Sequence, residues 1–526
     1  MKKVNTMSME VTRRNLLVGS AALGACAVAV AGLTDIALAK EEPLNLDEPD
    51  IEPSETYECD FVVAGSGTAG LCAAIHAAEL GLSTILVDVN TENGIGGNSR
   101  YVENCGEVPE GGADELYRNL VDYHRFASNA IVTRRFADDA QKIIDWTRDD
   151  QGVVFKEGRL KYEEDGNGTN GGKTAIYTMY NYALELGVTF LFDERAYKLL
   201  VNDEGRVTGV KCKSRVGDVI QVNAKAVDLC TGGYGCNKEM FERFTNVSYD
   251  RVINRGGMGT QMGDGITMGE QLGALLFHPE AINYCSPILP GHYNKGALTI
   301  CGVNQADTCF FNESGRRFCD EGVISDWTTS GNICSQQHHI YMIVDQDFVD
   351  KIMAEGVVTK RHNYFEVGEP VPQFQEEIDE ALTRESPRVY KADTLEELCA
   401  NVDIDAEAAI AEIEKFNGYV DDGFDADFMK DPQYLRKIQT PPFYLFRSQL
   451  AFYNNVGGLR VDEHARVIGA DYKPIVGLYA GGSDAGALFG PYYDVSVAPG
   501  STQLWGRVSG YWAAEHAAEE LIPSLA

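Results

Sequence analysis

Apolar and polar positions fall into two periods along this chain, and the change from one to the other marks its elements. Residues 60–64 read DFVVA, an apolar strand that runs into Gly65-x-Gly67-x-x-Gly70, and the following LCAAIHAAELG has the small residues and period of a packed helix. A second strand, STILVD, ends at Asp88. Further on, VTRRFADDAQKIIDWTRDDQGVVF predicts a helix leading to a strand, and KLLVNDEGRVTGVKC a hairpin that turns at Asn202-Asp203-Glu204-Gly205. AKAVDLC is a further apolar strand, and Gly263-Asp264-Gly265 opens the helix ITMGEQLGALL. The glycine-rich EEDGNGTNGGKT reads as a loop, either a flexible crossing or a wall near a substrate entrance. ADTLEELCANVDIDAEAAIAEIEKFNGYV carries one long Leu/Ala/Ile-patterned helix whose role is packing.

The strand, three glycines, helix, strand and terminal acid together make a dinucleotide-binding entry. Gly65 allows the tight turn, Gly67 lets the backbone approach a pyrophosphate, and Gly70 lets helix and strand pack closely. Thr68 and Ala69 complete the turn at a helix N-terminus, whose free N–H groups and partial positive charge favour an anion. Asp88 stands near the spacing at which a carboxylate takes ribose hydroxyls.

Gly96-Gly97-Asn98-Ser99, Thr231-Gly232-Gly233-Tyr234-Gly235, Gly263-Asp264-Gly265 and the C-terminal GLYAGGSDAG follow in that order. In this order they resemble the flavoprotein family of fumarate reductases, succinate dehydrogenase flavoprotein subunits and Δ1-ketosteroid dehydrogenases, over roughly residues 57–520. The resemblance implies FAD, covalent or non-covalent, with Gly65, Gly67, Thr68, Ala69, Gly70, Asp88, Gly97, Asn98, Ser99, Gly233, Asp264, Ser483 and Ser501 as its contacts. It also implies an α/β fold: a discontinuous Rossmann-like FAD-binding domain at residues 57–285 and 446–526, with an α+β capping domain inserted at 286–445.

The N-terminus adds a destination. Arg13-Arg14 precedes a weakly apolar Ala/Gly/Val run to Leu33, and Ala37-Leu38-Ala39 offers a small-x-small cleavage site, so residues 1–39 look like a twin-arginine export signal and 40–56 like an acidic linker. Such a route moves folded, cofactor-loaded proteins to the periplasm or cell envelope. Lipid attachment at Cys26 is the alternative. The 526-residue chain carries a net charge of −34, and removing residues 1–39 takes it to −36. Nucleic acid is therefore excluded as a partner, and an anionic membrane surface would repel the chain, which leaves membrane contact indirect. The 13 cysteines contain no Cys-x-x-Cys, which excludes the usual haem attachment and ferredoxin-like spacing; Cys72, Cys212 and Cys230 read as small buried hydrophobes. No metal site is expected, since His278, His292, His338 and His339 match no ligand spacing. Electrons would come from a separate donor protein, cytochrome- or quinol-linked.

Candidate chemistry follows from what the chain lacks. In the fumarate-reducing branch, the resemblance implies arginines, histidines and a glutamate that grip substrate carboxylates and relay a proton. Threading GLYAGGSDAGALFGPYYDVSVAPG on that pattern places Tyr493 at the clamping arginine. Tyr453 or Asn454 falls at a histidine, Cys301 and Asn304 at the relay glutamate and arginine, Ser325 at the proton-donating arginine, and Cys285 or Ser286 near a further histidine. Arginine grips a carboxylate with two parallel bonds and tyrosine cannot replace that charge, so the substrate is expected to be uncharged at its reacting end unless Arg447 or Arg100 takes over.

A tyrosine can donate a proton or polarise a carbonyl, which suits reduction of an activated, enone-like C=C bond in a small unsaturated organic acceptor. Tyr493 is the first candidate, Tyr492 the second and Tyr453 the next, and Tyr101 could flank the flavin ring. A Δ1-type ketone dehydrogenase and a non-catalytic flavin electron carrier remain the alternative readings.

Overall fold

Strand β1 (Glu55–Ala64) occupies the middle of an eight-stranded sheet, where Phe61, Val62 and Val63 are shut off from solvent on both faces. The computed structural model describes residues 42–45, 51–156, 162–163, 171–291, 297–360, 365–385, 387–493 and 497–522. The twin-arginine pair, Cys26 and the cleavage site near Ala39 lie outside these. Residues Leu38–Ala526 form one unit. Among the described residues, no helix is long and apolar enough to cross a membrane, and no group of three or more His, Cys, Asp or Glu side chains could hold a metal ion.

From β1 the chain passes through helix α1 (Thr68–Glu79) to β2 (Thr84–Asp88), which pairs parallel with one edge of β1, and β3 (Thr189–Phe192) extends the sheet beyond β2. The hairpin of β4 (Glu194–Val201) and β5 (Val207–Ser214) forms as the sequence predicts and feeds β6 (Val219–Leu229), which returns parallel to the other edge of β1. Strand order therefore reverses at β1, and the crevice at the carboxyl ends of β1, β2 and β6 is the place where this architecture takes a ligand. Strand Pro474–Ala480 joins the outer edge of β6, so the last part of the chain returns to the same sheet. The C-terminal helix Ser501–Leu521 crosses α1 so closely that a Cβ on Gly510 would sit 2.2 Å from the Ala69 carbonyl oxygen.

A second, six-stranded sheet builds the cap around the 13-residue strand Phe443–Asn455. Its first half pairs with Ile340–Asp345 and Val389–Ala392, its second half with Val252–Asn254 and Ile282–Ile288. The boundaries expected at 285/286 and 445/446 thus fall inside strands that run from the cap toward the flavin domain. Two cap segments are tied by a fully buried charge network, in which Arg317 bonds Glu321 at 2.7 Å and Asp425 at 2.9 Å while Lys430 lies 3.1 Å from Glu321.

Three expectations need correction. Among the described residues, no strand stands between the helix Ala130–Asp149 and the next helix; Phe155 makes an isolated bridge to Tyr162. Gly171-Gly172-Lys173-Thr174 opens the helix Gly171–Glu185, because the glycines let it press against Tyr162 and the Ser99 and Val102 backbone. The single long cap helix is two, Leu395–Cys399 and Ala406–Asp422, with Asp405 capping the second through Ala408 N–H. An acidic N-cap at Asp405 starts a new helix after the first has ended at Cys399.

Candidate active site

The first glycine-rich turn has the geometry its sequence predicts. Gly65 has φ +109°, and a Cβ there would lie 2.2 Å from the Cys230 carbonyl oxygen; one on Gly70 would lie 1.8 Å from the Gly65 oxygen. Gly67 is different: its nearest neighbour would be Ser99 Oγ at 3.7 Å, and as the N-cap of α1 it brings no side chain to the helix's first turn. Gly97 faces open space with nothing within 4 Å. Thr68 N–H donates to Ser99 Oγ at 3.1 Å, and Thr68 Oγ1 donates to Gln503 at 2.9 Å, which ties α1 to the first turn of the C-terminal helix. Ala69 is buried beneath Gly481 and Gly482.

Asp88 ends β2 with one carboxylate oxygen accepting from Ser66 N–H at 2.7 Å and Ser66 Oγ at 2.5 Å, and the other from Asn90 N–H at 2.7 Å. Burial pushes its carboxyl up and these bonds oppose the rise. At the far end, Ser501 opens the C-terminal helix with its hydroxyl buried and unpartnered among the described residues. A glycine cradle open to the crevice, a helix N-terminus at each end, an acid beside the first turn and an orphaned buried hydroxyl fit the pyrophosphate, ribose and ring of FAD.

Asp484, a residue the sequence did not single out, holds the second glycine-rich turn. Its carboxylate accepts from Thr231 N–H, from Thr231 Oγ1 at 2.8 Å and from Gly233 N–H at 3.0 Å. It is fully buried, and burial pushes its carboxyl up to about 6. Gly233 is pressed against Asn455, whose Oδ1 accepts from Tyr234 N–H at 3.0 Å. Ser483 Oγ accepts from Asn454 at 3.0 Å. Asp264 is also buried, and both its oxygens accept from Arg195 at 2.7 Å, so its side chain serves as a strut between β4 and the helix Asp264–Gln271.

The end expected to react carries the candidate tyrosines. Tyr493 is 4% exposed with its ring edge-on to Phe489 at 5.4 Å, whereas Tyr492 is 56% exposed and Tyr101 37%. Tyr453 is half-buried and its hydroxyl accepts from Arg255 at 2.9 Å. Asn98 connects this end to the cofactor turn: Asn98 Nδ2 donates to the Tyr453 carbonyl at 3.4 Å, and Asn98 Oδ1 accepts from Gln261 at 2.8 Å.

The positions that the resemblance assigns to charged groups in its fumarate-reducing branch hold the neutral side chains read from the sequence. Ser286 is buried 2.6 Å from Ser330 Oγ, Cys285 and Cys301 are buried thiols, and Asn304 donates to the Pro287 and Thr299 carbonyls. Ser325 Oγ donates to the Gly322 carbonyl. Of the two arginines that could replace the clamp, Arg100 is buried with a bond to the Asn93 carbonyl, and Arg447 pairs with Tyr341 six residues along the strand from Tyr453, about 20 Å at strand rise. Arg255 had no motif to flag it and is the guanidinium at this end.

Residues 60–496 match the family model described as FAD binding domain. The vinyl phenol reductase of Lactiplantibacillus plantarum is 30% identical over 489 residues, spanning 88% of this chain and 96% of that protein. The urocanate reductase of Eggerthella lenta is 27% identical over 87% of this chain and 75% of its own length. Among solved structures, the 3-ketosteroid Δ1-dehydrogenase of Sterolibacterium denitrificans shares the fold with a TM-score of 0.69 at 19% identity, over 88% of this chain and all of that one. With the cofactor crevice and these matches together, the chain belongs to the FAD binding domain family and is an FAD-dependent oxidoreductase acting on CH–CH and C=C bonds.

Proposed function

We propose that the protein reduces an activated C=C bond in a small organic acceptor that is uncharged at its reacting end, such as an enone or a vinyl-substituted phenol. FAD, when bound, supplies the hydride chemistry; the protein binds and orients the acceptor, excludes water and supplies a proton. Tyr493 is the proton donor to the α-carbon, and the edge of Phe489 holds its ring. Tyr453 is the other phenol of the site, and Tyr492, being exposed, is held second to Tyr493. Gly67, Gly97, Asn98, Ser99 and Ser501 face the cofactor, and Asp88 serves its ribose.

The observation that carries this reading is the buried Tyr493 at the arginine slot, together with neutral Cys301, Asn304 and Ser325 at the relay positions. A dicarboxylate placed there would lack the paired arginines at these positions, with Arg255 already bonded to Tyr453 Oη, a deficit of roughly 3–5 kcal/mol. Further support comes from the relative named as a vinyl phenol reductase, whose substrate is an alkene conjugated to a phenol ring. Export through the twin-arginine signal to the cell envelope, with electrons from a separate cytochrome- or quinol-linked donor, completes the proposal. Tyr493→Phe, which removes only the hydroxyl, tests it: turnover should fall roughly 10²–10⁴-fold with flavin content unchanged. Near-normal turnover would remove Tyr493 from the chemistry.

A further inference from the structure

The C-terminal helix Ser501–Leu521 carries a cation where it packs on α1: Arg507 is 0% exposed. Its Nη1 donates to the Cys105 carbonyl at 2.6 Å, its Nη2 donates to Tyr162 Oη, and the guanidinium lies 5.3 Å from the Tyr162 ring centroid. Nε is buried and unpartnered, and among the described residues no Asp or Glu pairs with Arg507. The titratable groups that face it are Tyr162, Cys105 and Cys72 of α1. Burial pushes all three up, the Cys72 thiol to about 12, so they stay protonated and do not neutralise the guanidinium. A buried charge without a counter-charge is costly, and a methionine would fill the place without that cost. Gln503, one turn before Arg507, accepts from Thr68 Oγ1 of the cofactor turn at 2.9 Å. Ser501, with its orphaned hydroxyl, stands six residues before Arg507, about 9 Å at helix rise. Arg507 therefore sits behind the N-termini of two helices that both open on the cofactor crevice, and its charge has the sign of both helix ends.

A charge that is neither paired nor solvated acts over a longer distance than one that is. The oxidised flavin ring is neutral. Its reduction by two electrons and one proton leaves one negative charge on the ring, and a second proton removes that charge. A fixed positive field favours the charged form over both neutral ones. Resting on the FAD placement above and not on which acceptor is reduced, we propose that Arg507 is a buried charge that tunes the flavin: with the N-termini of α1 and the C-terminal helix, it stabilises the anionic reduced ring and raises the flavin's potential. The bound flavin thereby becomes a better acceptor of electrons from the donor. Being shut off from the crevice, Arg507 acts through its field alone and not by contact.

The test is a potential rather than a turnover rate, read by anaerobic titration of the holoprotein against redox dyes. Arg507→Met should cut the ratio of reduced to oxidised flavin at a given potential at least tenfold, a fall of about 30 mV for a two-electron couple. Arg507→Lys keeps the charge and should recover most of that fall. Tyr162→Phe removes a bond to Arg507 but no charge, and should leave the potential at the wild-type value. An unmoved potential in Arg507→Met would overturn the proposal, and so would an equal fall in all three variants, which would make packing and not charge the cause. Wild-type protein supplies an arm that needs no variant to fold. Its potential should fall by about 60 mV per pH unit while two protons are taken up and by about 30 mV once only one is. The break between the two slopes should lie at a lower pH than in free FAD titrated alongside, and a break at or above the free value would overturn the proposal. Wild-type protein that takes up no FAD would sink the cofactor placement itself, whereas bound FAD with an unmoved potential in Arg507→Met sinks the role of Arg507 alone.

Discussion

Asp228 sits fully buried near the end of β6, and among the described residues Oδ1 is unpartnered and Oδ2 accepts only from the Cys230 thiol at 3.3 Å. Burial, helped by the nearby Asp484 carboxylate, pushes its carboxyl up to about 7 from an ordinary 3.8. A carboxyl raised on folding contributes stability that is fully present below the unfolded value and is lost as pH rises through the folded one. The window runs from about pH 4 to pH 7, and the gap between the two values corresponds to roughly 4 kcal/mol, of which about 2–3 falls between pH 5 and pH 8. Asp228→Asn keeps the shape and removes the ionisation. The advantage of the variant over wild type in urea unfolding of the flavin-loaded protein should therefore grow from near zero below pH 4 to about 4 kcal/mol at pH 8. A difference that stays constant across this range would show that Asp228 is not held protonated in the sheet.

Two further outcomes are expected. Asp484→Ala leaves the Thr231 and Gly233 N–H groups without their acceptor, at about 1–3 kcal/mol each, so the glycine turn should loosen and flavin affinity should fall at least tenfold by fluorescence of released FAD; unchanged retention would remove Asp484 from the cofactor scaffold. Replacing Arg13 and Arg14 together with Lys should leave precursor in the cytoplasm, and sequencing of the mature N-terminus should place cleavage near Ala39; a mature chain beginning at a lipid-modified Cys26 would refute that processing.

The parts of this molecule legible in the sequence are those built from neighbours in the chain. The β1–α1 turn announces itself through three glycines whose spacing is fixed by local sterics, and Gly65 and Gly70 fail in space just as that spacing requires. The β4–β5 hairpin is equally local, its Asn202 side chain accepting from Glu204 and Arg206 N–H across the turn. The roles of Asp484 and Arg255 were not legible because their partners lie 253 and 198 residues away: Asp484 sits within the GLYAGGSDAG motif, but the motif does not say that its carboxylate holds the Thr231 turn, and no motif contains Arg255. Asp264 shows the converse, since its place in a glycine-flanked motif suggested a cofactor contact while Arg195, reached only through folding, takes both its oxygens. The missing charges at Cys301, Asn304 and Ser325 could be read by threading, but that these positions are buried or tied to backbone carbonyls required the structure.

Anaerobic reoxidation of dithionite-reduced protein tests the central claim most directly, with flavin absorbance followed after mixing with a neutral enone, a vinyl phenol or fumarate. A conjugated acceptor with one uncharged oxygen should restore the oxidised spectrum rapidly, and fumarate should do so more than a hundredfold more slowly, as roughly 3–5 kcal/mol of unpaired buried charge requires. Fumarate reoxidising the flavin as fast as the neutral acceptors would contradict the reading of Tyr493 and the neutral Cys301, Asn304 and Ser325 as a site for substrates without carboxylates.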